Sequence, residues 1–185
     1  LLVDERGERR VSLPPPQTSW REILHARCEL GNGTTLVVAR RVVDEIGGFD
    51  EALRLYEDWD WVLRMVQRFR YDVVPEPLAR VHVAGIRPAQ KFAEGAEHFL
   101  KKHDAELGAR GGEYRRRIRA KHFEFVAASA FENRAYLLGC RYLLRSFAEY
   151  PRQNPVRLGA LLLAPIDAAF GTSLIQRVAA MVGGR

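Results

Sequence analysis

Between residues 58 and 69 the apolar side chains fall at Trp59, Val62, Leu63, Val66 and Phe69. That is a three-, four-, seven- and ten-residue spacing, the mark of one helical face. Asp60, Arg64, Gln67 and Arg68 fall largely on the opposite side, which is expected to be wet. Before this stripe, residues 40–46 predict a short helix that Gly47 stops from the C′ position. The β-branched apolar run at 34–39 predicts a buried strand, and 71–74 and 78–83 predict strands around Pro75, Glu76 and Pro77.

Towards the start of the chain, residues 1–3 and 11–13 flank a polar turn and read as strand, turn, strand. Pro14, Pro15 and Pro16 impose an extended polyproline stretch. Ser19 is placed to cap a short helix from Trp20 to about Cys28, with Glu22 completing a capping box. Gly31, Asn32 and Gly33 form a turn. The first half therefore predicts an α/β unit built on a mixed sheet, covering residues 1–87. From residue 88 the pattern changes to helices at 88–107, 114–133 and 134–150, broken at 108–112 and 151–155. Residues 88–185 thus predict a helical appendage. Its apolar tail at 158–166 stops at Asp167, short of the roughly 20 residues a spanning helix needs. Two readings stand for that tail, a buried helix or a helix lying in a membrane interface.

Composition is that of an ordinary globular protein, with 47% hydrophobic and 28% charged residues over 185 positions. Charge alters the picture more. Residues 1–92 are neutral overall, so the whole net charge of +6 belongs to the second half. Its densest part runs Arg115, Arg116, Arg117, Ile118, Arg119, Ala120, Lys121, His122. Such a run either faces solvent or attracts an anionic partner. It lacks the interleaved aromatics and the motifs of nucleic-acid readers, so nucleic acid is not expected as a partner. The two cysteines, Cys28 and Cys140, lack metal or disulfide spacing and point to a reducing, cytoplasmic compartment. The chain opens at Leu1 inside a predicted strand, which points to a fragment of a longer protein.

The chemistry concentrates between Gly47 and Asp60. A glycine turn carrying Phe49, Asp50 and Glu51 leads to Tyr56, Glu57, Asp58, Trp59 and Asp60. Asp58 and Asp60 form a literal D-x-D, but on a helix they point about 200° apart and cannot share one ion. Asp60 is expected to pair with Arg64 on the helix surface, a contribution of about 0.3–0.5 kcal/mol. Glu57 and Asp58 sit at the helix start, where carboxylates satisfy free N–H groups and the helix dipole. One carboxylate suffices for that purpose and two adjoin here. A fixed, ionised carboxylate at a cleft edge also suits a general base that deprotonates a hydroxyl.

The runs 34–41, 46–51, 57–60 and 74–82, in that order and spacing, resemble the C-terminal half of a family-2 glycosyltransferase of the GT-A fold. The resemblance implies a partial GT-A, Rossmann-like mixed sheet followed by an α-helical C-terminal region. It implies an inverting transfer from a nucleotide-sugar donor to a hydroxyl acceptor, as in cell-surface polysaccharide synthesis. Asp58 would be the catalytic base, with Glu57, Gly47, Gly48, Phe49, Asp50 and Trp59 about the acceptor. His82, after the Pro-x-Pro strand, would touch the metal or diphosphate, although a lone histidine at a strand end is more often a surface residue. The complete enzyme would use Mn2+ or Mg2+ on a D-x-D in a donor-binding half that this sequence lacks. Carbohydrate or lipid-linked acceptors, and peripheral contact at the inner face of the membrane, follow from the same resemblance. A non-catalytic or partner-dependent binding fragment is the alternative.

Overall fold

The computed structural model describes residues 2–3, 9–10, 35–72, 74, 76, 78, 81–82, 88–151, 163 and 166. The chain divides into two compact units, Leu1–Gly85 and Ile86–Arg185.

In the first unit, strands β1 (Leu2–Val3) and β2 (Arg9–Arg10) pair antiparallel, and β1 pairs in parallel with β3 (Val81–His82), giving the order β2-β1-β3. Each strand is a dipeptide. The rest of the described unit is loop and two helices, α1 (Arg40–Ile46) and α2 (Glu57–Arg68). This overturns the expectation of an α/β, Rossmann-like mixed sheet, because the described residues are mainly helical. The described residues of the run at 34–39, 35–39, are not strand, and Val37 is fully exposed. Val74 is likewise exposed and the described residues of 71–74 are not strand, while of the expected strand at 78–83 Leu78 is exposed and outside any strand and Val81–His82 form β3. A short β-branched run has strand character only where a neighbouring strand and a packed face receive it, and among the described residues of 34–39 and 71–74 no strand pairing is present. The expected strand at 11–13, the polyproline stretch at 14–16, the helix at 20–28, the turn at 31–33 and most of the tail at 158–166 lie outside the described residues.

Helix α2 organises this unit. Val62, Leu63 and Val66 are almost wholly buried, as the apolar stripe requires. Each such side chain contributes roughly 1.5–3 kcal/mol as an upper estimate. The buried face is wider than the stripe, since Trp61, Met65 and Asp60 are buried as well. Asp60 is therefore not on the wet side, and its pairing with Arg64 is not a surface pairing. Before α2 the chain turns at Asp50, whose main-chain oxygen accepts from the Leu53 N–H at 2.9 Å. That places Leu53 in the core.

The second unit consists of α3 (Ala89–Lys102), α4 (Asp104–Ala109), α5 (Gly112–Glu132) and α6 (Tyr136–Glu149). A turn at His103 separates α3 from α4, where one continuous helix is expected from the pattern. Phe99, Leu100, Leu107, Ile118, Phe123 and Val126 form its core. Ser146 of α6 donates to the Ala120 carbonyl of α5 at 2.7 Å, tying two buried backbones together. Gly139 gives the Phe131 ring its room, because a Cβ there would lie 2.5 Å from that ring. No helix among the described residues is long and apolar enough to cross a membrane.

Candidate functional site

Helix α1 ends at Gly47, whose φ of 77° and ψ of 176° suit glycine and few other residues. Its N–H donates to the Val43 carbonyl at 2.9 Å, completing the last turn of α1. The following turn is held from α2. Trp61 Nε1 donates to the Gly47 carbonyl at 2.8 Å, and Arg64 donates to the Ile46 and Gly48 carbonyls at 2.6 and 2.7 Å. Phe49, half exposed, packs edge-on against Trp61 with ring centroids 6.2 Å apart. Asp50 Oδ1 accepts from the Ala52 N–H at 3.0 Å, which shapes the turn towards α2.

Tyr56 precedes α2 in the left-handed region, with φ 71°. A bulky residue there is an outlier of the kind stored at functional sites. Its ring stacks on Trp59 at 4.9 Å and 6°, and burial raises its hydroxyl pKa well above the usual tyrosine value. Trp59 is accordingly a core residue stacked on Tyr56 rather than a face open to an acceptor. Glu57 and Asp58 form the first turn of α2 and are both partly exposed. Asp58 Oδ1 accepts from the Trp59 N–H at 2.8 Å. Among the described residues, neither Asp58 Oδ2 nor the Glu57 carboxylate has a hydrogen-bond or ion-pair partner.

The D-x-D triplet is helical, and its carboxylates have different fates. Asp58 stays at the partly exposed helix start, while Asp60 is fully buried with Oδ2 accepting from Arg64 Nε at 2.9 Å. A carboxylate already bound to a guanidinium in the core is no metal ligand, so these residues do not fit a Mn2+ or Mg2+ centre. Among the described residues no group of three or more His, Cys, Asp or Glu could hold a metal ion. The backbone of His82 lies in β3, in register with Val3, and that is its described place.

No protein-family model matches the chain, and no curated protein or solved structure matches it.

The structure therefore brings Gly47, Gly48 and Phe49 together against α2, with Asp50 in the connecting turn and Glu57 and Asp58 on the helix itself. The sequence reading does not name Trp61 and has Arg64 only as the partner of Asp60. The local signal for Arg64 is its four-residue spacing from Asp60, which marks the pair but not the carbonyls Arg64 reaches.

The basic run of the second unit is largely occupied. Arg115 makes a two-point contact with Asp104, both bonds 2.7 Å, and Arg119 donates to Glu149 at 2.6 Å. Lys121 meets Glu124 at 3.2 Å and His122 is buried, which leaves Arg116 and Arg117 as the exposed members. Arg117 lies over the Tyr114 ring.

Proposed function

We propose that this chain carries the acceptor side of an inverting glycosyltransferase that moves a sugar from a nucleotide-sugar to a hydroxyl acceptor. Asp58 is its general base. The observation that supports this reading is the state of Asp58: one oxygen is held by the helix N-terminus and the other is left to take a proton. Glu57 beside it, and the pinned turn with half-exposed Phe49, supply polar and apolar contacts for a carbohydrate. The reading rests on these residues and not on an α/β sheet. No step is assigned to a metal, because the described carboxylates do not form its ligand set.

The bond from the Trp59 N–H to Asp58 also favours a second reading, in which Asp58 only caps its helix in a non-catalytic binding module. Asp58→Asn separates the two. Asparagine serves the helix start about as well as aspartate and loses only the dipole contribution of about 0.3–1 kcal/mol. It cannot act as the base. Sugar transfer by the protein containing this chain should fall by roughly 10²–10⁴-fold, with the thermal midpoint nearly unchanged. Turnover retained at the wild-type rate would sink the base assignment and leave the capping role.

A further inference from the structure

The carbonyls of three successive residues, Ile46, Gly47 and Gly48, all accept hydrogen bonds from one stretch of α2. Arg64 Nη1 and Nη2 take the first and third, and Trp61 Nε1 takes the second. The remaining edge of the guanidinium, Nε, is anchored on Asp60 Oδ2. Asp60 has no solvent exposure and Arg64 retains a quarter of its own. A guanidinium is a rigid planar fork, so fixing one edge on a buried carboxylate fixes where the other donors point. A buried ion pair is weak evidence for stability, since apolar residues of similar volume often do as well, and orientation is its better-attested use. Capping α1 would explain the bond to Ile46, its last residue. It does not explain the bond to Gly48, which lies beyond the helix.

We propose that Arg64, oriented by Asp60 and assisted by Trp61, is the positioning residue that locks the glycine turn to the helix bearing Glu57 and Asp58. A site whose parts are held by a supporting set of hydrogen bonds keeps its geometry without paying for order when substrate arrives. The catalytic meaning rests on the acceptor-side reading above, whereas the lock itself is measured without substrate.

The test is Arg64→Lys in the full chain, read by nuclear magnetic resonance on 15N-labelled protein. Lysine keeps a cation for Asp60 but offers a single nitrogen that cannot span Asp60, Ile46 and Gly48. Exchange of the Trp61 indole N–H should accelerate tenfold or more, and the heteronuclear NOE of Gly48 and Phe49 should fall. The amides of Val62 and Val66 within α2 should keep their wild-type protection, a pattern that simple destabilisation would not produce. Wild-type exchange at Trp61 together with a rigid Gly48 and Phe49 would overturn the proposal. Should Arg64→Lys not fold, the double variant Asp60→Asn/Arg64→Gln leaves no unpaired buried charge and must show the same loosening; its absence there overturns the proposal equally. Asp58→Asn should leave these signals unchanged, so the lock and the base assignment fail separately.

Discussion

Gly47 and Gly48 are neighbours of one residue type under unlike constraints. Neither would present a Cβ to any atom within 4 Å, so sterics at the side chain do not distinguish them. The backbone does. Gly47 has φ +77°, and Gly48 is not in the positive-φ region. Gly47→Ala should therefore cost about 1–3 kcal/mol of backbone strain, whereas Gly48→Ala should change stability by under about 1 kcal/mol, towards stabilisation. Urea unfolding midpoints at unchanged slope would check the contrast, and equal losses at both positions would refute it. The same scale explains why Asp58 and Asp60 part company. They are two residues apart on one helix, so burying one at the Arg64 fork leaves the other at the partly exposed start.

At the scale of elements, helix ends carry their own chemistry. Helix α5 ends with Arg134 in the left-handed region at φ 57°, its N–H bonded to Phe131 O at 3.0 Å and that of Ala135 to Ala130 O at 2.8 Å. These are the two bonds of a Schellman motif, whose C′ position favours glycine. Arg134→Gly should raise the thermal midpoint, by a stability gain of about 0.5–1 kcal/mol, because glycine occupies that conformation without strain. A drop in the midpoint would show that the arginine side chain contributes more than its backbone costs. This local grammar is why α1 and α2 were legible: Gly47 announces the end of one, and the apolar stripe announces the face of the other. The runs at 34–39 and 71–74 read as strands and their described residues are not, because a β-branched run resembles a strand until its packing is known. Asp60 was misread for a related reason. A hydrophobic pattern assigns a carboxylate to solvent and has no means of seeing a guanidinium that spans to a turn sixteen residues back.

For the molecule as a whole, three arginines of the basic second half join helices to one another. Asp104 to Arg115 ties α4 to α5, Arg119 to Glu149 ties α5 to α6, and Glu97 to Arg145 ties α3 to α6. Tyr142 adds a hydrogen bond to Glu97 at 3.1 Å, and the Arg145 guanidinium lies over the Phe123 ring at 4.2 Å. Burial alone would raise the Glu97 carboxyl, but the hydrogen bond and charge of Arg145, with the Tyr142 hydroxyl, outweigh it and hold the group below its ordinary value of 4.5. A carboxyl lowered in the folded state binds fewer protons there than in the unfolded chain. Its contribution is thus complete above about pH 4.5 and is lost as pH falls through the lower folded value. The side chain is 40% exposed, so solvent screens the pair and the effect is modest. Helix content followed by circular dichroism during heating should give a midpoint that is flat from neutral pH to about 5 and falls below 4.5. In Glu97→Gln the midpoint should start lower at neutral pH and fall less steeply through the acid window. An identical acid slope in the two proteins would remove Glu97 as the titrating group.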